Sequence, residues 1–152
     1  MSRTQLTVAD LHKSYGDVKA LDGCSFTVDR GQMLGFLGPN GSGKTTTMRA
    51  IVGLVLPDSG SLSWGSEPLT AAHRSRIGYM PQERGLYVRM KVREHIAYIG
   101  RLAGLEAPEA ERRANVWIER VGLDTRADDP IQELSVGNQQ RVQLAVALVH
   151  EP

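Results

Sequence analysis

The chain has 152 residues, 41% of them hydrophobic, with a mean hydropathy of −0.27 and a formal net charge of +1 from 18 basic and 17 acidic residues. That length suits one domain with a core of ordinary size, and the near balance of charge argues against a nucleic-acid partner and against a solvated acidic arm. The longest apolar runs, 51–56 and 142–149, fall well short of the ~20 residues that span a bilayer, and the first residues lack the apolar core of a signal peptide.

Residues 6–11 alternate like a strand, and 18–21 and 25–28 read as two more, with Asp22-Gly23 as the turn between them. Cys24 is the one cysteine, so no intrachain disulfide can form. Its apolar surroundings predict a buried strand thiol in a reducing compartment. After Asp29-Arg30-Gly31 the apolar stretch 32–37 reads as a further strand, and 45–52 as a helix stopping near Gly53. Between them lies Gly38-Pro39-Asn40-Gly41-Ser42-Gly43-Lys44-Thr45, a complete G-x-x-x-x-G-K-[ST] loop followed by Thr46. Strand, glycine-rich loop and helix, in that order, turn a string match into a physical expectation. Glycines let the backbone close around phosphate oxygens, and the helix start behind them adds partial positive charge. Lys44 can reach the β- and γ-phosphates of a nucleoside triphosphate, and the Thr45 hydroxyl can hold Mg²⁺.

Pro57-Asp58-Ser59-Gly60 is turn chemistry before a short strand at 61–64, and 77–80 reads as an apolar strand ended by Pro81. After Lys91 the pattern becomes helical. Val92, Ile96, Ile99 and Ala103 form one stripe, and Ala110, Ala114, Trp117 and Val121 a second, with Pro108 at the first helical position and Gly122 as a C-terminal cap. A last helix is expected over 139–150, with Val142, Ala145, Val146 and Val149 on one face. His12, His73, His95 and His150 read as surface residues. The chain thus divides into a β-rich half, 1–90, and a helical lobe, 91–152.

Three further features accompany the loop. Tyr15 stands at a strand end in Lys-Ser-Tyr-Gly, Gln82 follows the strand at 77–80, and Leu134-Ser135-Val136-Gly137-Asn138-Gln139 opens the last helix. Aromatic residue, phosphate loop, glutamine loop and Leu-Ser-x-Gly signature follow one another in the order of an ATP-binding cassette (ABC) transporter's nucleotide-binding domain, which the whole chain resembles. The resemblance implies an α/β P-loop NTPase fold with an N-terminal β-subdomain and a helical signature subdomain. It implies ATP and Mg²⁺ as ligands, with Tyr15 stacking on adenine, 38–46 holding the phosphates, and Thr45 and Gln82 at the metal. Ser135 and Gly137 would bind the γ-phosphate of ATP held by a second nucleotide-binding subunit. The bland alternatives are sheet packing for Tyr15, an ordinary polar residue after a strand for Gln82 and a plain N-cap for Ser135. Val136 and Asn138 depart from the common Leu-Ser-Gly-Gly-Gln form, which puts affinity and rate in question.

The resemblance also implies a transmembrane permease subunit as partner and a place on the cytoplasmic face of the membrane. The segment from Pro81 to Tyr87 is similar to bacterial ABC-2-type exporter ATPases with Pro-x-Glu-Arg-Gly-Leu-Tyr. Leu86, Tyr87, Val88 and Met90 are then either permease interface or a local anchor for their own loop. A soluble ABC-type ATPase and a non-catalytic nucleotide-binding remnant are the alternatives. The 53 positions separating Gln82 from Ser135 leave room for two short helices and none for the long coiled coil of DNA-repair relatives. The family's strand of four apolar residues ending Asp-Glu, and its switch histidine, find no match. Residues 147–152 mimic its end only in Glu151-Pro152, and they continue the helical stripe from Val142. The expectation is a fragment ending before that strand, with a sheet edge left unpaired, poor solubility alone, weak ATP binding and negligible hydrolysis.

Overall fold

The computed structural model describes residues 5–83 and 85–152. The chain forms two compact units, 1–74 and 75–152. The strand-to-helix change at Lys91 is one of local pattern, whereas the units divide at Arg74 and Ser75.

The N-terminal unit carries an antiparallel sheet in the order β2-β1-β3-β4, built from β1 (Gln5–Tyr15), β2 (Val18–Asp29), β3 (Ser59–Trp64) and β4 (Glu67–Pro68). β1 is central and buries Val8 and Leu11. The two strands expected at 18–21 and 25–28 are one. Asp22-Gly23 is no hairpin turn but an irregularity within β2, where Leu11 pairs with Cys24 and the next residue, His12, pairs with Asp22. Gly23, at φ +84°, is the extra residue of this bulge. The reversal lies instead at Gly16-Asp17, between the paired Tyr15 and Val18. Cys24 is half-buried rather than buried. Helix α1 (Lys44–Ile51) buries Thr47, Ala50 and Ile51, and a single turn of helix, α2 (Ala71–Arg74), ends the unit.

Residues 32–37 do not form the expected strand. Among the described residues none pairs with them in a ladder, and Met33 and Leu37 are 95% exposed. An apolar run becomes a strand only where neighbours accept its backbone groups. Phe36 alone finds packing, with its ring centroid 5.2 Å from that of Phe26 on β2.

The C-terminal unit is helical: α3 (Val92–Leu102), α4 (Ala107–Arg120) and α5 (Val136–Leu148), with 3₁₀ turns at Asp124–Arg126 and Ile131–Glu133. Val92, Ile96, Ala110, Ala114, Ile118, Val142, Ala145 and Val149 meet in one core. The α3 stripe drifts from expectation: Ala103 is exposed, while His95 and Gly100 are buried. His95 sits three residues after Val92 and one before Ile96, on the face the core covers. The reading of all four histidines as surface residues is therefore wrong for His95, which is fully buried. Pro108 occupies the second position of α4 rather than the first, and Gly122, at φ +66°, follows its end as expected.

Helix α5 starts three residues earlier than periodicity suggests, because Ser135 caps it: its Oγ accepts the Asn138 N–H at 3.3 Å. Residues 77–80 are not a strand either. They lie against α5, where a Cβ on Gly78 would fall 2.6 Å from the Ala147 carbonyl oxygen. The Gln143 amide reaches the Pro81 carbonyl at 3.5 Å on the same side. Residues 142–148 are helical throughout, as their stripe predicted. No helix among the described residues is long and apolar enough to cross a membrane.

Candidate functional site

The glycine-rich loop is held by its own lysine. Lys44 Nζ donates to the carbonyl oxygens of Gly38 and Pro39, at 2.8 and 2.6 Å. Gly41 and Gly43 both take left-handed conformations, φ +84° and +83°, which alternate with ordinary backbone to turn successive N–H groups toward one concavity. Gly43 is also the N-cap of α1 and offers no side chain for capping. The first N–H groups of α1 therefore have no intrahelical acceptor and present a positive end to an anion. A Cβ on Gly38 would fall 2.7 Å from Ser42 Oγ, a hydroxyl that would have to turn aside.

The back of the loop rests on β2. A Cβ on Gly43 would lie 2.5 Å from the Ala20 carbonyl oxygen and 2.6 Å from Leu21 Cδ2. Behind it, Thr47 is fully buried, and its hydroxyl donates to the Gly43 carbonyl at 3.0 Å. Loop, β2 and α1 are thus one packed structure. Asn40, Ser42 and Thr45 are exposed, and Thr46 is half-buried. These residues fit a triphosphate and its magnesium: closed backbone, an uncapped helix start, a lysine at the rim and hydroxyls beside it. Thr45 is the residue that would hold the metal, whose positive charge would offset the phosphates.

Tyr15 ends β1 and is 52% exposed. Two residues before it, Lys13 lies opposite Leu21 in the ladder, so the hairpin end carrying Tyr15 belongs to the same part of the unit as the Gly43 contact. Gln82 and Ser135 belong to the C-terminal unit. Gln82 is exposed in the irregular segment along α5, while Ser135 and Gly137 are exposed at the start of that helix. Leu86 packs onto the helical core, which makes it an anchor, whereas Tyr87 and Val88 stay about half exposed. The Tyr87 ring meets those of His95 and Tyr98 edge-on, with centroids 5.6 and 5.7 Å away. Arg84, in the same segment, lies outside the described residues, as do residues 1–4.

Sequence reasoning missed the backing of the loop by Ala20 and Leu21. It also missed the Asp58 carboxylate, which bonds Lys13 and the Ser14 N–H across the sheet. Pro57-Asp58-Ser59-Gly60 had signalled a turn, but nothing local says where a turn carboxylate will point. His95 was legible, since 92, 95 and 96 share a helical face.

A family model described as ABC transporter matches residues 21–152. An uncharacterized ABC transporter ATP-binding protein, YhaQ of Bacillus subtilis, is 44% identical over 147 residues, covering 97% of this chain and 49% of that protein. Nod factor export ATP-binding protein I of Ralstonia nicotianae is 40% identical over 150 residues, covering 97% of this chain and 47% of its own length. A solved ATP-binding subunit of an ABC transporter superposes with a TM-score of 0.82 at 32% identity, covering 98% of this chain and 63% of that one. The chain spans about half the length of the curated relatives it matches.

Proposed function

Because this chain belongs to the ABC transporter family of ATP-binding domains, we propose that it acts as the ATP-binding subunit that powers transport across a membrane. The observation that carries this reading is the loop itself: left-handed Gly41 and Gly43 leading into an uncapped helix, with Lys44 across the rim. In the proposal, residues 38–46 take the phosphates, Thr45 and Gln82 the magnesium, and Tyr15 the adenine. Ser135 and Gly137 serve ATP bound by a second such subunit, while Ser135 keeps its capping bond; one helix start can do both. Hydrolysis, which adds a metal-bound carboxylate and a water-polarising one to these groups, is proposed for the whole protein.

The partner proposed for the C-terminal unit is a transmembrane permease subunit, which would place the protein at the cytoplasmic face of the membrane. Tyr87 and Val88, exposed beside the anchored Leu86, are the contact surface, and export is the favoured direction. One relative supports that choice by name, Nod factor export ATP-binding protein I.

Equilibrium titration with MgATP and, separately, with magnesium tripolyphosphate tests the nucleotide reading. Both should bind saturably and compete. Tyr15→Ala should weaken MgATP roughly tenfold, the worth of one stacked base, and leave tripolyphosphate unchanged. Failure of either ligand to bind would remove the reading, and an equal loss of both in Tyr15→Ala would remove Tyr15 from the base site.

A further inference from the structure

Just before β3 begins, the Asp58 side chain takes over the work of the ladder. His12 pairs with Ser59, the first residue of β3. One step further, the Asp58 N–H donates to the His12 carbonyl at 2.8 Å, and its Oδ2 accepts the Ser14 N–H at 2.7 Å. The carboxylate thereby satisfies a β1 donor that lies beyond the first residue of its neighbouring strand. Its other oxygen accepts Lys13 Nζ at 2.6 Å. These bonds hold its charge in place, and the hydrogen bond from Lys13, then that from Ser14, keep the Asp58 carboxyl below its ordinary range.

The lysine so held has a second neighbour. Its Nζ lies over the Tyr15 ring, 5.5 Å from the centroid, within the distance at which a cation is attracted to an aromatic face. A free lysine at a strand end extends into water to keep its rotamer freedom. This one has a side chain only 18% exposed, folded between a carboxylate and a ring. Tyr15, half exposed, has one face against the cation and a wide surface left for another flat group.

We propose that Lys13, fixed by Asp58, is a positioning residue for Tyr15: it holds the ring by one face so that the other stands ready for the base of a bound nucleotide. The inference rests on the reading of Tyr15 as the base platform. The gain is preorganisation, since a ring already held loses less freedom on binding. A cation behind the ring also draws electron density from it and favours stacking on an electron-rich purine.

The test uses the whole chain, with MgATP and magnesium tripolyphosphate as probes and circular dichroism to establish that each variant folds. Lys13→Met, which keeps the stem and removes the cation, should weaken MgATP about threefold and leave tripolyphosphate unchanged. Asp58→Asn should do the same, and Lys13→Arg should restore wild-type binding. In a Tyr15→Ala background, Lys13→Met should have no further effect. An equal loss of both probes, or a loss that persists without Tyr15, would show that Lys13 acts on the fold and overturn the proposal. If Tyr15→Ala changes base discrimination while Lys13→Met does not, the platform stands and the latch falls. If Tyr15→Ala itself leaves discrimination unchanged, both fall.

Discussion

Gly43→Ala should abolish measurable MgATP binding and destabilise the N-terminal unit by upward of about 3 kcal/mol. Two costs add. The residue sits at φ +83°, where an L-side chain costs about 1–2 kcal/mol. Its new methyl would also lie 2.5 Å from the Ala20 carbonyl oxygen and 2.6 Å from Leu21 Cδ2. A leucine can change rotamer, but Ala20 O belongs to the backbone of β2 and cannot swing aside, so the loop must lift off β2. Lifting it disperses the N–H groups aimed at the phosphates, each such charge-assisted bond being worth about 1.5–3 kcal/mol. The affinity loss should therefore exceed about 100-fold.

Gly41→Ala separates the two costs. It shares the left-handed φ, at +84°, yet a Cβ there meets nothing within 4 Å. It should cost about 1–2 kcal/mol of stability and no more. Denaturation followed by Trp64 fluorescence in a Trp117→Phe background reads both variants. Equal destabilisation by the two would refute the claim that the loop is braced on Ala20. Leu21→Ala combined with Gly43→Ala should recover only part of the loss, because the carbonyl remains.

These variants mark where sequence reading worked and where it stopped. The phosphate loop, the helix behind it and the helical lobe were legible because local chemistry decides them: glycines, a lysine, caps and a 3.6-residue period. The apolar segments 32–37 and 77–80 misled, because an apolar run carries no information about whether a neighbouring strand will accept its hydrogen bonds. One segment leaves Met33 and Leu37 exposed, and the other lies along α5. Asp22-Gly23 misled for a related reason: the dipeptide that makes a two-residue turn also makes a bulge, and only the register with β1 chooses between them. The bracing of Gly43 by Ala20, and of Lys13 by Asp58, joins residues far apart in the chain and has no local signature. At the candidate site the residue types were readable, and their supports were not.

His95 carries the other large effect, and it depends on pH. Its side chain is fully buried in α3, and neither ring nitrogen has a hydrogen-bond partner among the described residues. The edge-on ring of Tyr87, 5.6 Å away, offers no replacement for water. Burial disfavours the imidazolium and pushes the pKa from 6.5 down to about 4. Between those values the unfolded chain binds a proton that the folded chain refuses, so stability rises with pH across that window. The contribution is complete above about pH 6.5, declines as pH falls toward 4, and changes no further below it; its size is on the order of 3 kcal/mol. Glu109 has a separate window. Hydrogen bonds from Arg112, then Arg113, lower its carboxyl from 4.5 to about 2, so what it adds is present above pH 4.5 and is lost toward pH 2. Thermal melts followed at 222 nm should therefore fall steeply from pH 6.5 to 4.5 in the wild-type chain. In His95→Phe, which keeps a ring and removes both nitrogens, they should be nearly flat over that range. Removing two unsatisfied polar atoms should also leave the variant at least as stable as the wild type at pH 5. A wild-type curve already flat between pH 7 and 5 would show that His95 ionises freely in the fold. A slope that survives His95→Phe would assign the proton to another group.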